Sequence, residues 1–220
     1  MRKLRILFIT LLIASCGNGS LLNDEEKEYL LQVTESEDLI LTHNNGDFTL
    51  ELYNSEITDE GEQELFSSII LLQLTKIVDK KLNVKDTYGN NTVIFKDKKG
   101  ERSYDLNNMT LSDAMKSYNS LDSIITYAEV GDKLNLNNFI VGDLLTKSAA
   151  DQLVNKCLDS FNSEVDYVIN SYGFENSNED IDGRNREVIK IYTIYENSNV
   201  RKHIIFTFIS NFLWDAYFFD

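Results

Sequence analysis

Few side chains in this sequence are of the types that catalyse. His43 and His203 are its only imidazoles. A histidine that acts as base or metal ligand needs a companion at fixed spacing, either a second His four residues along a helix or a serine and carboxylate in a triad frame. Neither has one in sequence, and no G-x-S-x-G elbow, phosphate loop or dinucleotide glycine signature occurs. Cys157 falls in the series Leu153, Val154, Cys157, Phe161, Val165, Val168, Tyr172. That spacing puts the thiol in the middle of a helix's apolar face, so a buried, inert group is expected rather than a nucleophile. Asn178-Glu179-Asp180-Ile181-Asp182-Gly183 alternates oxygen ligands ahead of a glycine, as a calcium loop does. The match then fails: position one is Asn, position eight is Asn185, position twelve is Ile189 instead of Glu, and Arg184 and Arg186 bring positive charge to the site. A solvated acidic loop is the expectation. With 36 acids on the chain, pairs suited to glycosidase chemistry abound and no spacing selects one. No catalytic residue, metal ligand or cofactor is therefore expected.

Cys16 is different. Arg2, Lys3 and Arg5 precede an apolar run from Ile6 to Ala14 broken only by Thr10, too short for the roughly 20 residues of a membrane span. Leu12-Ile13-Ala14-Ser15-Cys16 follows. This segment resembles the signal peptide and lipobox of bacterial lipoproteins, which implies that residues 1–15 are removed, that Cys16 carries fatty-acyl chains such as palmitate and becomes the N-terminus, and that residues 16–22 tether the body to the membrane. Gly17 stands where an inner-membrane retention aspartate would be, so the resemblance points to the outer membrane, on its periplasmic or surface face. Several acyl chains hold far more firmly than the marginal anchor one provides. Cleavage takes away three bases and no acid, moving the net charge from -15 to -18. With Cys16 lipidated, Cys157 has no disulfide partner and the fold must stand on its core.

The rest of the chain must supply that core. Asn23 with Asp24, Glu25 and Glu26 marks a helix start, running to about Thr34. Leu39–Thr42 and Phe48–Tyr53 flank Asn44-Asn45-Gly46, a hairpin signal. Thr58 to about Lys81 is apolar nearly all round except for a strip at Ser68, Thr75 and Asp79, and belongs in the middle of the molecule. Thr92–Phe95 and Arg102–Leu106 form a second hairpin; a helix from Ser112 to about Tyr127 follows, and Val130–Val141 gives no clear pattern. A helix is predicted over Lys147–Tyr172, stopped by Gly173, then a polar loop over Glu175–Arg186. Val188–Tyr195, His203–Ile209 and Leu213–Phe219 read as strands with apolar groups on both faces, a sheet that must be covered on both sides or line a cavity.

The fold class is thus α+β: an antiparallel sheet with packed helices, ending in a β-meander against a long helix. Residues 23–220 form one domain, with a weak division possible near 107–111. The segment Ile204–Phe208 with Phe212-Leu213-Trp214 is similar to the end of cone-shaped NTF2-like and cystatin-like folds, which implies a pocket at the C-terminal sheet and assigns no residue to it. The aromatic residues of this sheet offer Trp214, Tyr192 and Phe206 as lining candidates.

Composition excludes several classes. Apolar residues make up 42% and charged residues 26%, a globular balance. Acids outnumber the 21 bases, which excludes a nucleic-acid partner, because affinity for phosphate backbones rests on Lys and Arg. The expectation is a lipid-anchored cell-envelope protein acting as a non-catalytic binding or accessory module. Its partners would be the membrane, through its lipid, and a basic protein or a small ligand. The alternatives are a periplasmic immunity or inhibitor lipoprotein with a basic target, and a carboxylate-dependent cell-wall or polysaccharide hydrolase.

Overall fold

A computed structural model describes residues 21–44, 47–82, 89–140, 142–161, 167–197 and 200–219. The signal segment and Cys16 lie outside these residues. So do Asn45 and Gly46, although the strands they join pair in register from Asp38↔Tyr53 to Asn44↔Asp47.

The fold is α+β, built on two four-stranded sheets and five helices. Helix α1 (Asp24–Val33) opens with a full capping box: the Asn23 side chain accepts from the Glu26 N–H and the Glu26 carboxylate from the Asn23 N–H, each at 2.8 Å. Leu22, just before it, is already buried, so the chain is fixed from the end of the expected tether. The hairpin β1 (Asp38–Asn44) and β2 (Asp47–Tyr53) precedes α2 (Glu60–Leu82), and the hairpin β3 (Asn90–Asp97) and β4 (Gly100–Asn107) follows it. Strands β2 and β3 pair in parallel, with α2 as the crossover, so the two hairpins fuse into one sheet of order β1-β2-β3-β4. Its inner face carries Leu39, Leu50, Leu52, Val93 and Phe95, all buried.

Helix α3 (Asn108–Glu129) starts directly from β4 on an Asn107 cap, and the unclear stretch after it holds the short helix α4 (Lys133–Asn137). Helix α5 (Lys147–Ser160) ends at Phe161, not at Tyr172. Val165 lies outside the described residues. Val168 and Tyr172 belong to β5 (Tyr167–Ile181), because the consecutive Tyr167, Val168 and Ile169 favour an extended strand once the helical stripe is broken. The polar segment Glu175–Arg186 is likewise not a loop. It is the rest of β5, a turn at Asp182-Gly183 with φ of 54° and 72°, and the start of β6 (Arg184–Asn197). Strands β7 (Arg201–Ile209) and β8 (Phe212–Phe219) complete the antiparallel meander β5-β6-β7-β8, with Ser210 and Asn211 at positive φ in the last turn.

Helix α2 joins the sheets and lies along the free edge of β5. The Ser68 hydroxyl accepts from the Phe174 N–H at 2.7 Å and donates to the Leu65 carbonyl. The polar strip at Ser68 therefore does not face water; it satisfies the backbone of an edge strand. Gly173 sits in β5 at a register shift, where a Cβ would come within 2.7 Å of the Leu65 backbone oxygen. It is glycine so that two backbones can meet, not because a helix ends there. The inner face of the second sheet (Phe174, Ile191, Ile204, Phe206, Leu213, Ala216) packs in the same core as the first sheet, and that core runs from Leu22 to Ala216.

Candidate functional site

Cys157 is buried as its spacing predicts, and burial pushes its thiol up to about 12. His43 is exposed and stacks on Phe48. Among the described residues no group of three His, Cys, Asp or Glu side chains could hold a metal ion, and Asn178–Gly183 is the end of a hairpin. Asp122 is the one carboxyl among them raised above its ordinary value, by burial, with the nearby Lys76 opposing.

The aromatic residues expected to line one pocket are divided between the two faces of the second sheet. Phe206 is fully buried on the inner face, where it meets Phe161 and Phe218. Tyr192 pairs with Ile205 and stands on the outer face, while Trp214 packs with Leu144 against Ile181, Val188 and Ile209. That small cluster covers only one end of the outer face.

The remainder of the outer face carries a band of rings crossing all four strands. Tyr172 of β5 lies 6.0 Å from Tyr192 of β6 and 6.1 Å from His203 of β7, measured between ring centroids. His203 stacks on Phe219 of β8 at 5.5 Å, and Phe219 meets Tyr217 at 5.6 Å. These separations are those at which rings attract each other, so the band is a continuous surface of weakly coupled rings. Ile205 and Ile194 lie between them, and Tyr217 is 60% exposed. Tyr217 is exposed and the other four rings are half-buried, so the band is not sealed in a core as a sheet covered on both sides requires.

Polar groups on this face bond one another beside the rings. The Tyr192 hydroxyl donates to Glu175 at 2.7 Å, and Lys190 pairs with Glu179. Burial first, and then the Glu175 hydrogen bond, push the Tyr192 phenol well above its ordinary value, so it stays protonated and remains a donor. The Tyr172 phenol is raised by burial as well. No family model, curated protein or solved structure matches this chain.

Two clefts lie away from the band. One, of about 300 Å³, opens between α3 and the β7–β8 turn; the other, of about 450 Å³, lies beside Asp47, Gly89 and Met109. Neither includes Asp122. The ring band is hidden in the sequence because the helix expected over Lys147–Tyr172 takes in the start of β5, Tyr172 included, and the loop expected over Glu175–Arg186 takes in the rest. The turn dipeptide Asp182-Gly183, flanked by alternating residues, was the available signal for the hairpin.

Proposed function

We propose that this is a lipid-anchored bacterial cell-envelope protein that binds rather than catalyses, with the outer face of the C-terminal sheet as its binding surface. The anchor rests on the lipobox resemblance at Cys16. The binding role rests on one observation, the open band of five rings from Tyr172 to Tyr217. The band is three strand spacings wide, about 15 Å. Hydrogen-bonding groups stand beside the rings, the Tyr192 hydroxyl with Glu175 among them. Ring faces beside hydroxyl groups favour a solute with apolar faces, such as a segment of neutral glycan, held by ring contacts and oriented by the phenols.

Trp214 is the only tryptophan and lies toward one end of this face, where it reports on occupancy. Titration of the Cys16→Ser protein with neutral oligosaccharides should change its fluorescence saturably. A full panel without effect would refute the surface. Separately, intact mass should show loss of residues 1–15 and an acylated Cys16; a Cys16→Ser variant that still partitions into detergent like the wild type would refute the anchor.

One observation favours the immunity or inhibitor reading instead. Between Glu28 and Thr75 the chain carries eleven acids and no Lys or Arg, and Glu35 and Glu56 meet where the loops after α1 and β2 bond to each other. A basic partner recovered from periplasmic extract at low salt and lost at high salt would move the function to that end of the molecule.

A further inference from the structure

We propose that the cleft between α3 and the β7–β8 turn is a second binding site, independent of the ring band, and that it takes a small molecule bearing a primary ammonium. The cleft measures about 300 Å³ and opens to solvent, within the usual size range of small-molecule sites. Helix α3 lines one side with Asp113, Lys116 and Ser117, whose spacing of three and four residues puts them on one helix face.

Ser117 is the unusual member. It is 1% exposed, and its hydroxyl oxygen is buried without a hydrogen-bond partner. Five other helix hydroxyls among the described residues do not behave so. Ser67, Thr75, Ser123 and Thr126 each donate to the carbonyl four residues earlier, and Ser68 to the one three residues earlier. A buried hydroxyl that forgoes this local bond carries an uncompensated desolvation cost until something in the cleft supplies a partner.

The opposite wall decides which partner fits. Glu187 is held through Oε1 by the Asn176 amide at 2.6 Å, and that same amide nitrogen lies 3.4 Å from the Thr110 hydroxyl of α3. This fixes the carboxylate at the cleft, and its second oxygen carries no bond among the described residues. Lys116 is paired with Asp113 at 2.7 Å, so those two charges cancel and Glu187 leaves the lining one negative charge in excess. Ile189 and Phe208, both buried, supply an apolar floor, and the Ser210-Asn211 turn closes the end. A cationic donor facing Glu187 and Ser117, on a compact carbon body resting on Ile189 and Phe208, satisfies all of these groups. An anion would meet Glu187 unfavourably, and a neutral polyol would leave its charge unmatched.

Three ligands of one shape test this: glucosamine, glucose and glucuronate, titrated calorimetrically into the purified full chain. Glucosamine should bind saturably at one site and about tenfold or more tightly than glucose, and glucuronate should not bind. Ser117→Ala should weaken glucosamine about tenfold while leaving the unliganded melting temperature equal or higher, because it removes an unpaired hydroxyl. Glu187→Gln keeps an oxygen acceptor for Asn176 and should reduce glucosamine to the affinity of glucose. No saturable binding of glucosamine would overturn the site, and so would unchanged affinity in both variants. Equal affinity for glucosamine and glucose in the wild type would overturn the ammonium assignment.

Discussion

Replacing Gly173 with alanine tests the contact that joins the two halves of the fold. The added Cβ would lie 2.7 Å from both Leu65 Cβ and Leu65 O, and 2.9 Å from the Leu65 carbonyl carbon. Two of these atoms are helix backbone, which cannot swing aside as a side chain does, so α2 must back away from β5. That movement stretches the bond made at the same place, from the Phe174 N–H to the Ser68 hydroxyl. Overpacking a tight contact costs about 1–3 kcal/mol, and weakening one buried hydrogen bond adds about 1 kcal/mol, giving about 2–4 kcal/mol in total. Urea denaturation followed by far-UV circular dichroism measures it. Gly142→Ala is the control, since a Cβ there meets nothing within 4 Å, and it should change stability by less than about 0.5 kcal/mol. A Gly173→Ala protein as stable as the control would show that α2 and β5 are not in this close contact.

Other outcomes follow from single groups. Cys157 should label slowly with a thiol reagent in the native protein and fast once unfolded, and Cys157→Ala should cost about 1–2 kcal/mol in the same denaturation assay. Its folded value of about 12 against an ordinary 9.0 means the unfolded thiol ionises first. Stability from this group is complete below pH 9 and falls by about 1.4 kcal/mol per unit as pH rises toward 12, a slope that Cys157→Ala should flatten. Asn23→Ala breaks the capping box of α1 and should cost about 1 kcal/mol. Tyr217→Ala should leave stability within about 0.5 kcal/mol, because the ring is exposed, yet weaken any solute that changes Trp214 fluorescence; a large loss of stability would show that the outer face is covered.

Legibility followed the range of the interactions. The two hairpins, the all-apolar α2 and the last three strands were readable because turn dipeptides and apolar periodicity act over a few residues. What lay beyond reach was set at long range. Nothing local says that β2 pairs in parallel with β3, or that the Ser68 hydroxyl bonds a strand 106 residues later. The stripe through Cys157 continued past Phe161 by coincidence of spacing: Val168 and Tyr172 fit a helical face, and equally fit alternate positions of a strand. Gly173 then reinforced the error, because a glycine needed for close approach looks in sequence like one that ends a helix. At the ring band, the individual rings were visible as strand residues, but their convergence depended on the register of four strands. The Ser117 cleft left no trace in sequence, since a serine on an apolar helix face looks like any other until its hydrogen bond is found missing.

The arrangement of α2 has a consequence for the order in which the protein becomes stable. The helix is apolar nearly all round, and it is made early, whereas β5, its most extensive neighbour, begins only at Tyr167. A chain emerging from its N-terminus therefore carries this helix without its covering strand until β5 begins, about 85 residues after the helix ends, with the first sheet and α3 able to shield only part of it. Chains ending before β5 should expose the rest and aggregate, while a chain that reaches Phe174 gains both the covering strand and the partner for Ser68 in a single step.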